Sequence, residues 1–340
     1  MKTRIGALVI GAFAAQGAMA QSNVSIFGTL DLSVRTIKNE GASMFTSVGA
    51  QGNMANRIGF KGEEDLGGNM KATFHLEAGI LPDTGESMGQ AYGIGFWNRQ
   101  STVGLKGNFG EVKLGRDWTA SYLSMSIYDP SFGFGVADTL HVSRNTLQPT
   151  YFWANNAISY TLPSNLGGVY GQLMYAPGES TVNGKYTGGR FGYGAGPYDV
   201  SVSFGSQDVL GGSFKVFSIG GAYDMGVVKL TALYNREKVV DAKETRVVLG
   251  VTVPIGSNYA FVSFAKSSVS DFPGAHGASQ IGGGYVHTLS KRTAVYANAA
   301  WLTNKGDGQL STTNFGSFGS TAPVPGGKSQ GFEIGVRHNF

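Results

Sequence analysis

Gly331–Phe340 reads GFEIGVRHNF. Phe332, Ile334, Val336, His338 and Phe340 share one parity, while Glu333, Gly335, Arg337 and Asn339 share the other. Period-2 alternation of this kind marks a β-strand with one apolar and one polar face. In a water-soluble domain such a strand, ending on a bare phenylalanine, is an edge open to aggregation. The fold therefore turns on which solvent the apolar parity meets.

The same alternation recurs through the chain. MKATFHLEAG (70–79) sets Met70, Ala72, Phe74, Leu76 and Ala78 against Lys71, Thr73, His75 and Glu77. YDVSVSFGSQ (198–207) sets Tyr198, Val200, Val202 and Phe204 against Asp199, Ser201 and Ser203. Sixteen such segments begin near residues 23, 56, 69, 99, 110, 156, 168, 189, 197, 214, 226, 244, 258, 278, 292 and 330. Short Gly/Pro/Asn/Asp turns such as EDLGG, GNFG and PIGSN alternate with longer polar stretches at 38–55, 80–98, 118–155, 177–188, 206–213, 236–243, 268–277 and 303–329. An even strand count, short turns on one side and long loops on the other describe a transmembrane barrel. Lipid offers no hydrogen bonds, so the sheet must close and the last strand must pair with NVSIFGTL near the start. The reading is all-β: a closed antiparallel transmembrane barrel of sixteen strands, wide enough for an aqueous channel. Tyr175, Phe191, Tyr198, Tyr234, Tyr259, Tyr285 and Trp301 fall at segment ends, as interfacial girdles require.

Composition agrees. The 340 residues carry no cysteine, 53 glycines, 12% aromatic and 41% hydrophobic residues, and nothing after residue 20 approaches an apolar run long enough for a membrane helix. MKTRIGALVIGAFAAQGAMA (1–20) has Lys2 and Arg4, an apolar stretch and Ala18-Met19-Ala20, the pattern of a secretory signal cleaved after Ala20. Removing its two basic residues leaves 24 basic against 22 acidic, a net of about +2 that points away from nucleic acid. GKSQG (327–331) and APVPGGKS (322–329) resemble a nucleophile elbow and a phosphate loop, but no strand precedes them and no helix follows. His75, His141, His276, His287 and His338 lack metal-ligand spacing, so neither metal nor cofactor is expected.

NRIGFKGEEDLGGNMKATFHLEAG (56–79), STVGLKGNFGEVKLGRDW (101–118), AISYTLP (157–163) and the terminal GVRHNF together resemble the general porins of Gram-negative bacteria, in particular the neisserial and β-proteobacterial branch. The resemblance spans residues 21–340. It implies a homotrimer of sixteen-stranded barrels in the outer membrane, in contact with lipid and lipopolysaccharide. It also implies that a third loop, about 118–155, folds inward and narrows each pore. The loop's YDPSFGFG (128–135) is similar to the family's Pro-x-Phe-Gly motif. On that reading Asp129 and Asp138 supply acidic groups from the loop, opposite a basic wall of Arg57, Lys61, Lys71 and Arg99 with His75 in the lumen. Opposed charges would then set ion preference. Parity leaves the facing of Arg99 open. The arginine common near strand six is missing here, with Arg144 as a loop substitute. Arg116 in LGRDW reads as a structural or trimer-contact residue, and Phe340 as the signal read by the barrel-assembly machinery. The expected function is passive diffusion of small hydrophilic solutes and ions, weakly to moderately anion-preferring. A sugar- or dicarboxylate-specific channel is the alternative; a barrel enzyme would need a rim constellation of catalytic residues, and none is visible in the sequence.

Overall fold

The computed structural model describes residues 23–91, 94–143, 152–179, 185–271, 276–312 and 322–340. The expected signal segment 1–20 and Arg144 lie outside the described residues. The strands are β1 (Asn23–Asn39), β2 (Phe45–Ala50), β3 (Arg57–Gly67), β4 (Met70–Leu81), β5 (Glu86–Ser87), β6 (Gln100–Gly107), β7 (Gly110–Trp118), β8 (Trp153–Thr161) and β9 (Val169–Ala176). They continue as β10 (Tyr186–Ala195), β11 (Tyr198–Val209), β12 (Gly212–Asp224), β13 (Lys229–Val239), β14 (Ala242–Ile255), β15 (Asn258–Ser270), β16 (Gly277–Thr288), β17 (Thr293–Lys305) and β18 (Lys328–Asn339). Two helices, α1 (Met88–Ala91) and α2 (Ala120–Ile127), and a 3-10 turn (Thr139–Ser143) belong to the loops.

Each barrel strand pairs antiparallel with its neighbours, and β18 pairs with β1 from Thr29↔Asn339 to Asn39↔Ser329. The sheet is therefore closed. β2 and β3 lie end to end along the other side of β1, and β5 is a two-residue extension beside β4. Counting β2 and β3 as one and setting β5 aside, the eighteen segments make sixteen barrel strands. The end of the chain has no free edge: Gly28 N–H donates to the Phe340 carbonyl at 3.0 Å, and Phe340 N–H returns to Gly28 at 3.1 Å.

Burial runs opposite to that of a soluble sheet. On β11 Val200, Val202 and Phe204 are exposed while Ser201 and Ser203 are buried. Phe217 and Ile219 on β12, Leu249 on β14 and Val262 and Phe264 on β15 continue the exposed apolar face, and Ser218, Asn235 and Ser263 continue the buried polar one. An apolar belt this broad is stable only against hydrocarbon. No described helix is long and apolar enough to cross a membrane; the strands make the crossing.

Two expected long loops are tight turns instead. β11 reaches Val209 and β12 starts at Gly212, while β13 reaches Val239 and β14 starts at Ala242. The ladder there runs past the lipid zone into water, where Asp208, Lys215, Glu237 and Lys243 are strand residues. Outside hydrocarbon neither face need be apolar, so the alternation fades although the strand persists.

Candidate functional site: a segment packed on the inner wall

Residues 119–143 leave the wall after β7 and lie against the polar, inward face of the barrel. Thr119 caps α2, its side chain accepting from Tyr122 N–H at 3.3 Å. The helix stops before Asp129-Pro130 because a residue preceding proline disfavours the α conformation. From there the segment is tied to successive strands. The Tyr128 hydroxyl, its pKa pushed up by burial, donates to Asp199 at 2.5 Å and accepts from the Ser201 hydroxyl at 2.9 Å, both on β11. Val136 N–H donates to Glu333 Oε1 on β18 at 2.9 Å, Gln280 on β16 donates to the Asp138 carbonyl at 2.9 Å, and Ser267 on β15 donates to the Val142 carbonyl at 2.5 Å.

The wall accepts this segment because it is glycine where contact is closest. A Cβ on Gly220 would lie 2.2 Å from the Tyr128 ring, and one on Gly250 would lie 2.2 Å from Pro130. Glu333 is the main anchor. It forms a fully buried ion pair with Arg35 (2.7 Å), and its other oxygen accepts from Val136 N–H and from Asn298 at 2.9 Å.

Asp129 and Asp138 depart from the sequence expectation. Asp129 is buried, accepting from Ser131 N–H (2.8 Å), Ser131 Oγ (2.7 Å) and Thr139 Oγ1 (2.6 Å), and so joins the two limbs of the segment. Asp138 is also buried, with Oδ1 accepting from Leu140 N–H at 2.7 Å. Neither offers its carboxylate to open water. Backbone N–H groups in a tight turn need acceptors, and these two side chains supply them.

Across the lumen the segment faces arginines. A cavity of about 270 Å³ is bounded by Arg57 (β3), Arg99 and Arg337 (β18) on the wall side and by Trp118, Tyr122 and Phe134. Arg99 is buried, its guanidinium hydrogen-bonded to Glu77 and 4.8 Å over the Trp118 ring. Its facing is thereby decided: inward. Among the described residues Arg57 makes only long contacts, 3.4 Å to the Ala55 carbonyl and 3.6 Å to Met54 Sδ. Arg337 donates to Asn53 Oδ1 at 2.6 Å. Asn53 is held there because residues 51–56 break the strand and turn inward onto Asp31, which accepts from the N–H groups of Gly52 (3.2 Å), Asn53 (2.9 Å) and Met54 (2.7 Å). Arg337 was missed as a site residue in the sequence, although the polar parity of GFEIGVRHNF already points it inward.

This wall pattern has relatives. A model of the Gram-negative porin family matches residues 6–307. The chain belongs to that family. Over the full length of both chains the porin is 33% identical to outer membrane porin protein 32 of Delftia acidovorans and 26% identical to major outer membrane protein P.IB of Neisseria meningitidis serogroup B. Among solved structures, the anion-selective porin from Comamonas acidovorans matches with a TM-score of 0.83 at 32% identity, covering 94% of this chain and 100% of that one. The porin is an outer-membrane β-barrel channel, and the inward polar face described above is its pore lining.

The remaining expected residues line the end with short turns or the outer wall. Lys61, Lys71 and His75 border a wide vestibule of about 590 Å³ with Lys106, Lys113 and Glu63. Lys71 pairs with Glu63 at 2.7 Å, Lys61 lies 5.2 Å over the Phe27 ring, and His75 Nε2 is 3.2 Å from Glu77. Lys61 and Lys71 line the vestibule and not the arginine cavity, whereas His75 is joined to that cavity through Glu77, the partner of Arg99. Arg116 donates to the Asn98 carbonyl at 2.6 Å and lies 5.2 Å over Trp153, bracing the strand ends that carry Arg99 and Trp118. Phe340 is partly exposed beside Gly28.

Proposed function

We propose that the porin's narrowest passage lies between the 119–143 segment and Arg57, Arg99 and Arg337, and that it favours anions. The observation carrying this reading is the charge of that one cavity: three guanidiniums line it and, among the described residues, no carboxylate does, while Glu77 behind the lining offsets Arg99. An anion within roughly 5 Å of a net charge of about +2 gains roughly 1.5 kcal/mol even at the dielectric of water, a bias of about tenfold. The relative from Comamonas acidovorans is described as anion-selective, which supports the same direction. The acidic counterpart expected from the loop is withdrawn with Asp129 and Asp138, so the preference rests on the arginines alone. Ion substitution in planar bilayers tests it. Replacing chloride by a bulky anion should cut conductance far more than replacing potassium by a bulky cation; the reverse order sinks the proposal.

Three further expectations from the sequence belong to this reading. They are cleavage after Ala20, assembly as a homotrimer in contact with lipopolysaccharide, and recognition of Phe340 by the barrel-assembly machinery. A heat-labile, high-mass gel band that collapses on boiling is the expected trimer signature; a monomer in mild detergent contradicts it.

A further inference from the structure

Two cavities meet at Arg99. The arginine-lined cavity shares Arg99, Trp118, Tyr122 and Phe134 with a second cavity of about 160 Å³, completed by Phe152 and Trp153 on one side and by the aliphatic Met88, Ile94 and Leu140 on the other. Its rings hold one another in place. Trp118 stacks on Tyr122 with centroids 5.0 Å apart, Trp118 tilts against Trp153 at 4.8 Å, and Tyr122 meets Phe152 edge-on at 4.6 Å. Loop packing alone would fill such a cluster, yet here an aromatic-walled space remains open next to a cationic one.

The geometry points to a binding site for aromatic carboxylates, with the ring in the 160 Å³ cavity and the carboxylate turned toward Arg57, Arg99 and Arg337. It rests on the reading of the arginine cavity as the pore's narrowest passage. Size agrees: an apolar cavity of roughly 150 Å³ accepts benzene. Donors are available. Arg57 and Arg337 both line the cavity, and among the described residues Arg57 makes only its two long contacts. A planar ring gains from stacking and edge contacts with preordered aromatic walls that a saturated ring gains less well. Sugars fit poorly, because most of the lining is aromatic or aliphatic and the several hydroxyls of a sugar would outnumber the polar groups there. A small aliphatic acid reaches the arginines but leaves the ring cavity unfilled.

The test uses current through the intact porin in planar bilayers at fixed chloride, titrated with sodium benzoate, cyclohexanecarboxylate or acetate at matched ionic strength. Benzoate should interrupt chloride current at a half-blocking concentration at least tenfold below that of acetate, with cyclohexanecarboxylate in between. Phe152→Ala should raise the benzoate value several-fold and leave the acetate value in place; Arg337→Gln should weaken block by all three acids. Equal block by benzoate and acetate, or full discrimination retained in Phe152→Ala, overturns the site. Parity of benzoate with cyclohexanecarboxylate overturns its aromatic preference. Calorimetric titration of the folded, detergent-solubilised porin needs no ion flow, so it separates this proposal from the pore reading. Saturable heat is expected with benzoate at least tenfold lower in concentration than with acetate, and no saturable binding of benzoate overturns the proposal even where channels conduct normally.

Discussion

Glu333→Ala should weaken the barrel and loosen the pore at once. The carboxylate is fully buried and serves two structures: through one oxygen it pairs with Arg35 and accepts from Ser33 (3.0 Å), and through the other it holds Val136 and Asn298. Removing one partner of a buried ion pair costs about 3–5 kcal/mol, because the remaining charge stays in a low dielectric. The Val136 N–H, left without this acceptor, adds about 1–3 kcal/mol if it stays buried. The two losses overlap, since a freed segment can rehydrate its own N–H, so about 3–5 kcal/mol in all is expected. Urea unfolding of the reconstituted porin, followed by tryptophan fluorescence, reads the stability. Single-channel recording reads the second effect: noisier current, as the tip of the 119–143 segment leaves the wall. Glu333→Gln keeps an acceptor for Val136 but not the charge, so it should lose stability while conducting more quietly than the alanine variant. An alanine variant within about 1 kcal/mol of wild type with an unchanged current trace would refute this account of the anchor.

Other outcomes follow from the same structure. Gly250→Val places side-chain atoms where Pro130 now lies, so the segment should be pushed into the lumen and unitary conductance should fall; an unchanged conductance contradicts the inner packing. Asp129→Asn removes a buried turn acceptor, so it should lower stability by about 1–3 kcal/mol while barely moving ion selectivity; a large selectivity change would return Asp129 to the pore lining. Anion preference should shrink from 0.1 M to 1 M salt as the screening length falls from about 10 Å to about 3 Å, as read from zero-current potentials; a preference independent of salt would mean size, not charge, selects. Deleting Phe340 should impair assembly in cells far more than the conductance of the barrels that do form, as compared by outer-membrane yield and bilayer recording; normal yield contradicts its role as a signal.

The sequence revealed the barrel more completely than it revealed the pore. Fifteen of the sixteen expected strand starts lie within about three residues of those observed, because alternation under lipid is a strong constraint that every spanning strand obeys; the second strand begins earlier, with β2 at Phe45 inside the stretch 38–55 expected to be a loop. It failed where the constraint lapses. Val209–Gly212 and Val239–Ala242 close tight turns in water, where polar residues on both faces imitate a loop. The inward turn at 51–56 also escaped, because a contact with Asp31 across the wall leaves no local period. Charge alone misled at Asp129 and Asp138: both lie on the inner segment, as the family resemblance implies, but the hydrogen-bonding needs of the turn decide where their carboxylates point. Arg337 was overlooked because the terminal strand draws notice to its apolar parity, although the opposite parity carries both the pore arginine and the Glu333 anchor.

The central claim is that Arg57 and Arg337 give the passage its anion preference. The direct measurement is the zero-current potential across a potassium chloride gradient for wild type and for Arg57→Gln/Arg337→Gln. The account predicts a wild-type potential of the sign set by chloride, moving strongly toward zero in the double variant as the net charge of the cavity falls from about +2 to about 0. A wild-type potential of the sign set by potassium, or a double variant indistinguishable from wild type, would contradict it.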